Sequence, residues 1–516
     1  MFEHKPNFLN YKFPNAGQFY ADPECRTPLF IGQLDIVNNN ICIKVLSEQE
    51  RYYIYPDTLY AYLNTVHSPQ NLVAYSFFGC ITGNAPSINN SIQFRSFIKH
   101  DNGNHIGWEK NHWSKTDNVP LPDFITEKKL FKKITLRISN LDEWLWNLSP
   151  EEQTADIKLK KPNFSAYYTD KKGNNHTGYR TWKGYIKNIN QMIIPFNSMV
   201  KRIKIDDETT IIFSSEPDAT GSEFPNFYAR QDSKIEILSV RAQPIGFFMK
   251  IVYILKTFLS IITDSECKIY SVSYHEPIKY LKSRDVCKPY KNIEFFYNDI
   301  GWYLEENPLG DWFVGYHMLY RIIRKDLEVA LKLFFNKYAE ISSLANFLLD
   351  AKHQRETESF DLYLANQLQI IEMYGNLKNR GAVPRQDIKT VISEVPDSVF
   401  DNIFIHYYET RNSIPGNEIF GCLSTSRALD SNEVKQYRDI LQDNLIDIRN
   451  LIIHPYKNGK RKIPKDVIGF KYWCSPDGQL LNWDALSQLS VSLNMMLRYF
   501  VLKDIGLDKF WHIYNS

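Results

Sequence analysis

Leu441-Gln442-Asp443-Asn444-Leu445-Ile446-Asp447-Ile448-Arg449-Asn450-Leu451-Ile452-Ile453-His454-Pro455 reads as the last turns of an amphipathic helix. Leu441, Leu445, Ile448, Leu451 and Ile452 recur at steps of three and four, the period of a helix that buries one side. Its end gathers a guanidinium, an amide and an imidazole on Arg449, Asn450 and His454. Regular helical steps put Arg449 and His454 about 140° apart around the axis. Pro455 relaxes that constraint, because the residue before a proline is pushed out of the α region. His454 is therefore expected at the helix end, free to swing towards Arg449 and Asn450. There the partial negative charge of the helix C-terminus favours a protonated imidazole.

Outward from this stretch the chain is helical on both sides. Val314 to Leu349 has the spacing of one long helix or two broken ones. Phe360 to Leu377 forms another, ended by Asn379-Arg380-Gly381, and a less regular stretch holds Pro384, Pro396 and Pro415. A last helix is expected from Asp484 to about Ile505, stopped by Gly506.

Towards the N-terminus the period changes. Ile31–Ile36, Ile41–Val45, Val73–Phe78, Ile134–Ile138, Ile211–Phe213 and Ile235–Leu238 are short, apolar and often β-branched. Turn-forming clusters separate them, among them Asn38-Asn39-Asn40, Gly83-Asn84-Ala85-Pro86 and Asp218-Ala219-Thr220-Gly221. Leu141-Asp142-Glu143-Trp144-Leu145 has the spacing of a brief helical insert. The fold class expected is α+β. Residues 1–243 form a β-rich domain of sandwich or barrel type, 244–308 a helical connector, and 309–516 an all-α bundle.

A chain of 516 residues and 60.6 kDa is too large for one ordinary core. Its 43% hydrophobic and 23% charged residues are those of a globular protein. A formal net charge of +2 makes no case for a polyanionic partner of the whole chain, so any nucleic-acid surface must be local. Seven scattered cysteines without a CxxC pair argue for reduced thiols and a cytoplasmic place. The start, Met1-Phe2-Glu3-His4-Lys5-Pro6, lacks the apolar core of a signal peptide. The run from Ile245 to Ile262, interrupted by Lys250 and Lys256, reads as a buried amphipathic helix rather than a membrane span.

Arg-x4-His by itself is a weak signal, since Arg95-Ser96-Phe97-Ile98-Lys99-His100 has the same spacing in strand-like sequence. The copy at Arg449 differs in its surroundings. It ends a helix and runs into a basic stretch, Tyr456, Lys457, Lys460, Arg461 and Lys462. Such a loop can hold phosphates by charge and stack a base on an aromatic ring. The plainer alternative is a solvated lysine-rich turn. RNA carries its own nucleophile in the 2′-hydroxyl, so cleavage needs only a proton shuttle and charge stabilisation. His454 suits the first role and Arg449, which keeps its proton at working pH, the second.

Other combinations say less. His406-Tyr407-Tyr408-Glu409-Thr410-Arg411-Asn412 has an Arg-Asn pair with no histidine at the required distance. Asp142-Glu143 and Glu151-Glu152 read as exposed helix acids, and His105, His112 and His176 lack the compact spacing of metal ligands. No GxxxxGK[ST] loop is present, nor a GxGxxG after a strand.

The C-terminal third resembles the HEPN ribonuclease domain of the ApeA-like branch. The likeness rests on Arg449-Asn450 through His454-Pro455 and on the terminal Leu502-Lys503-Asp504-Ile505-Gly506. Leu368-Gln369-Ile370-Ile371-Glu372-Met373-Tyr374 is similar to that branch's glutamate-bearing helix. The N-terminal half resembles the ApeA N-terminal domain in Gly32-Gln33-Leu34, Phe78-Gly79-Cys80-Ile81-Thr82-Gly83, Leu141-Asp142-Glu143-Trp144 and Phe258-Leu259-Ser260. The resemblance implies an antiphage, abortive-infection endoribonuclease that uses no metal or cofactor. Arg449 and His454 would be catalytic, Asn450 would orient the site and Glu372 would support it. It also implies a homodimer or higher oligomer pairing two motifs, host RNA (transfer RNA first) as substrate, and an N-terminal domain that senses a phage component.

Two rivals remain open at this stage. One keeps the same fold as a non-catalytic RNA- or protein-binding scaffold. The other places function in the N-terminal half, as a carbohydrate- or peptide-binding domain with a structural helical tail.

Overall fold

The computed structural model describes residues 16–25, 27–37, 40–48, 56–65, 68–81, 91–101, 125, 128–145, 165–169, 175–179, 199–220, 228–263, 267–277, 290–297, 320–357, 360–379, 384–406, 431–453 and 483–515. Strands dominate up to Tyr297, and from Tyr320 onward the described residues hold helices and no strand.

The first six strands are β1 (Gly17–Tyr20), β2 (Pro28–Val37), β3 (Asn40–Glu48), β4 (Thr58–Thr65), β5 (Ser68–Cys80) and β6 (Ser91–Asp101). They pair in the order β6-β3-β2-β1-β4-β5, and β5 pairs again with β6, which closes a barrel. One edge of β6 is taken by β5 over Phe94–His100. Its other edge starts on β3, with Ile41 opposite Phe94, and is then taken over by β14 (Tyr290–Tyr297), with Phe296 opposite Phe97. The barrel interior is filled by aromatic rings: Phe19, Phe30, Phe77, Phe94 and Phe97 are fully buried, with Phe19 stacked on Phe30 at 5.1 Å. Gly32 leaves room for the Phe30 ring, since a Cβ there would lie 3.0 Å from Phe30 Cε2 and 2.8 Å from Ile43 Cγ2.

From β6 the sheet continues as an open wing through β14, β13 (Ile269–Pro277), β7 (Leu130–Ile138), β12 (Tyr228–Pro244), β11 (Thr209–Thr220) and β10 (Met199–Lys204). A separate hairpin joins β8 (Ser165–Thr169) to β9 (Asn175–Tyr179). In β7, Ile134, Leu136 and Ile138 alternate with Lys133, Thr135 and Arg137, the pattern of a strand with one apolar face. That face is covered by α1 (Leu141–Leu145) and α2 (Ile245–Thr263). Trp144 of α1 lies fully buried, 5.5 Å from the Phe213 ring of β11.

Helix α2 is long and apolar enough to cross a membrane by length and composition. In this fold it is instead held between the wing and a helix of the C-terminal region. Its hydroxyls are satisfied within the helix: Thr257, Ser260 and Thr263 donate to the carbonyls of Tyr253, Lys256 and Leu259.

Two expectations require correction. Residues 244–308 are not a helical connector: after α2 the chain returns to the sheet, where β13 pairs with β7 and β14 pairs with β6. Tyr270, Val272 and Tyr274 alternate with Ser271, Ser273 and His275, so the stretch is amphipathic as a strand despite its polar composition. Likewise Asp218-Ala219-Thr220 is not a turn, because β11 stays paired with β12 out to Thr220 opposite Tyr228. The pairing of β10 with β11 ends at Met199 opposite Ser215, so among the described residues Pro217 falls where β11 is an outer strand, a place that tolerates proline.

The helical region comprises α3 (Tyr320–Ile323), α4 (Leu327–Thr357), α5 (Phe360–Asn379), α6 (Pro384–Ser393), α7 (Asp397–Asp401), α8 (Ser431–Ile453) and α9 (Trp483–Asp504). A π-helical turn, Asn402–His406, follows α7, and a 3-10 segment, Asp508–Asn515, follows the last helix. The expected stop at Gly506 is present with its full geometry. Gly506 has φ +74°, its N–H donates to Lys503 O, and Leu507 N–H donates to Leu502 O. These are the two bonds of a Schellman cap, whose left-handed position favours glycine.

Both regions share one continuous hydrophobic core. The seam is α2 against α4, where Phe258 meets Phe334 edge-on at 5.4 Å. Above it Tyr253 Oη donates to Asn346 Oδ1 at 3.0 Å.

Candidate functional site

Helix α5 runs between two neighbours and shows a polar residue to each. Glu372 and Gln367 stand five residues apart, about 140° around the axis. Gln367, fully buried, donates through Nε2 to Ser490 O at 2.7 Å and to Asn494 Oδ1 at 2.8 Å on α9. Asn494 Nδ2 in turn donates to Tyr363 Oη at 2.7 Å. One turn beyond Gln367 the other side of α5 faces α8. There Glu372 Oε1 lies 2.8 Å from Arg449 Nη1.

The two partners of this ion pair are unequally exposed. The Glu372 side chain is 8% exposed and that of Arg449 is 25% exposed. Arg449 sits one residue past Ile448, which is buried with Leu441 and Leu445 against the other helices. It therefore leaves the core at the edge of the buried stripe, with its stem inside and part of its head in solvent. The contact is charge against charge rather than an aligned hydrogen bond. Arg449 Nε, itself buried, has no hydrogen-bond partner among the described residues. The guanidinium is thus anchored at one nitrogen and keeps another N–H unspent.

Other contacts pin α8 in place. Arg438 Nη2 donates to Val395 O at 2.7 Å and to Asp397 Oδ1 at 2.8 Å, and its guanidinium lies over the Phe400 ring at 5.0 Å. Gln442 Nε2 donates to Lys389 O and Ser393 Oγ on α6. At the far end of α5, Tyr374 Oη donates to Asp504 Oδ2 at 2.8 Å inside the core. Burial, followed by the Asp504 charge, pushes the Tyr374 phenol well above its ordinary pKa, so it remains a donor.

Of the residues singled out from sequence, Glu372 and Arg449 are brought together. Asn450 lies on α8, which the structure follows as far as Ile453. His454, Tyr456, Lys457, Lys460, Arg461 and Lys462 lie outside the described residues, as do Arg411 and Asn412. The rejected copy is accounted for: Arg95 and His100 are on β6, and His100 is 2% exposed inside the sheet region. The network of Gln367, Asn494 and Tyr363 is not foreseen by the sequence reading. Its signal is there nonetheless, since Gln367 stands four residues after Tyr363 and four before Ile371, on the buried side of α5.

Residues 123–309 match the family model of ApeA N-terminal domain 1. Over this stretch the chain is ApeA-like. The matched stretch includes β7, the wing strands, α1 and α2, and it runs past β14, in agreement with the return of that strand to the sheet. No curated protein and no solved structure matches the chain.

Proposed function

We propose that this ApeA-like protein is a metal-independent endoribonuclease of the HEPN type, with Arg449 and His454 as its catalytic pair. The observation that supports this reading is the Arg449–Glu372 ion pair. A surface arginine at a helix end would ordinarily be solvated and mobile. Here a buried carboxylate holds it in one place, one residue before Asn450 and five before His454 in the sequence.

In the proposed reaction His454 takes the proton of a ribose 2′-hydroxyl and the 2′-oxygen attacks the adjacent phosphorus. The bond to the 5′-oxygen breaks, and that oxygen leaves with a proton. The products are a 2′,3′-cyclic phosphate and a 5′-hydroxyl. Arg449 offers its remaining N–H groups to the phosphate oxygens as negative charge builds on them. Glu372 is a positioning residue that fixes the guanidinium without touching the RNA. One imidazole does not serve easily as base and acid together, so a dimer that joins two motifs in one cleft supplies both. Tyr456, Lys457, Lys460, Arg461 and Lys462 then grip the flanking phosphates, with host transfer RNA as the proposed substrate. The β-rich domain restrains the nuclease until a phage component is sensed.

The test is cleavage of total transfer RNA in the presence of a chelator. With an extract of phage-infected cells added to release the restraint, the expected result is 2′,3′-cyclic phosphate ends from the wild type, with cleavage lost in His454→Ala and Arg449→Ala. Equal cleavage by the variants would overturn the assignment. Intact RNA that is still bound by every form would favour a non-catalytic scaffold.

A further inference from the structure

Strand β10 ends the sheet. Among the described residues β11 pairs with one of its edges and no strand pairs with the other. The hairpin that joins the two strands fixes which backbone groups point each way. Ile205 N–H donates to Thr209 O at 2.9 Å, so these residues face each other as a hydrogen-bonded pair. Such pairs alternate along an antiparallel ladder, and the next two are Ile203 opposite Ile211 and Lys201 opposite Phe213. Val200, Arg202 and Lys204 therefore turn both their backbone N–H and C=O away from β11.

The side chains of the same three residues stand in solvent. Val200 is 62% exposed and Arg202 and Lys204 are exposed, while the intervening Ile203 is fully buried on the opposite face. Arg202 has no ion-pair partner among the described residues. Lys204 meets Asp207 at 2.8 Å, a contact easily exchanged because both side chains lie in water. The other acids of the adjoining turn are occupied: Asp206 accepts from the N–H groups of Glu208 and Thr209, and Glu208 lies 3.6 Å from Arg241. An open sheet edge is the geometry that takes an extended peptide as a further strand. Backbone groups then supply the hydrogen bonds and alternate side chains choose the partner. A second copy of β10 fits badly. Paired antiparallel about Arg202, it sets two guanidiniums opposite each other, and like charges so placed are destabilising. The same cations leave a carboxylate-bearing strand as the partner that gains by docking. Carboxylates at every second residue of such a strand fall beside Arg202 and Lys204 on the exposed face.

From this arrangement we infer that the outer edge of β10 binds an extended acidic peptide as an added strand. The outward backbone groups of Val200, Arg202 and Lys204 hold it, and the charges of Arg202 and Lys204 select it. The site lies within the stretch that matches the ApeA N-terminal domain and does not depend on catalysis at Arg449.

The test uses the full chain and a fluorescein-labelled peptide that alternates glutamate with threonine. Anisotropy titrations compare the wild type with Arg202→Ala, which removes the charge, and Arg202→Pro, which also removes an N–H that β11 does not use. Thermal melts check that the variants are folded. The expected result is several-fold weaker binding in Arg202→Ala and no detectable binding in Arg202→Pro. A second measurement keeps the wild-type protein and methylates every other backbone nitrogen of the peptide. Only one of the two alternating sets of N–H groups faces β10, so one methylated peptide should lose binding and the other keep it. Equal effects of the two methylations, or unchanged affinity in folded Arg202→Ala, would overturn the inference. So would oligothymidylate displacing the peptide at equal charge concentration, the behaviour of a surface that takes any polyanion.

Discussion

Arg449 Nη1 and Glu372 Oε1 meet at 2.8 Å, and the carboxylate is the more deeply buried partner. The pair is therefore asymmetric: removing the arginine takes a counter-charge from a buried carboxylate, whereas removing the carboxylate leaves a cation that can reach solvent. Arg449→Ala should lower stability by about 1–2 kcal/mol, less than a fully buried pair because a quarter of the arginine side chain is exposed. The Arg449→Ala/Glu372→Gln double variant should recover most of that stability while remaining inactive. Urea denaturation read beside RNA cleavage separates the two effects.

Glu372→Gln alone keeps the shape and removes the charge that fixes the guanidinium. Cleavage should fall by roughly tenfold or more while RNA affinity changes little, because positioning acts on the transition state. A loss of affinity equal to the loss of rate would show that Glu372 serves binding instead.

Phe258 is fully buried at the seam between the wing and the helical region. Phe258→Ala should cost about 3–5 kcal/mol. Because both regions share one core, denaturation should remain a single transition that moves to lower urea concentration. Two separated transitions in the wild type would contradict a shared core.

Gly506 occupies the left-handed position of the cap that ends α9. Gly506→Ala should destabilise by about 1 kcal/mol, and Gly506→Asn by less, since asparagine tolerates that conformation better. Differential scanning calorimetry of the two variants reads this ranking.

His275 is held below the ordinary histidine value of 6.5, so the unfolded chain takes up a proton more readily than the folded one. Its contribution to stability is complete above that ordinary value and is lost as pH falls below it. Melting temperatures measured from neutral pH downward should fall less steeply in His275→Gln than in the wild type.

Much of the fold was legible because it follows from local period. The alternation of Lys133, Thr135 and Arg137 with Ile134, Leu136 and Ile138 marks a one-faced strand. The steps of Leu441, Leu445 and Ile448 mark a helix, and Gly506 marks its neighbour's end. The stretch from Ile269 to Tyr297 was harder. Its tyrosines, serines and lysines resemble a loop in composition, and its strands gain meaning only beside β7 and β6.

By itself the sequence determined strands of clear alternation such as β7, the periods of α5, α8 and α9, and where α9 stops. Those properties depend on backbone preference and side-chain period within a few residues. The tertiary structure decided what meets across the chain: the closure of β5 on β6, the return of β13 and β14 to the sheet, and the union of Glu372 with Arg449. Each of these joins residues distant in sequence, and packing selects among many helix phases and strand registers that local propensity leaves nearly equal.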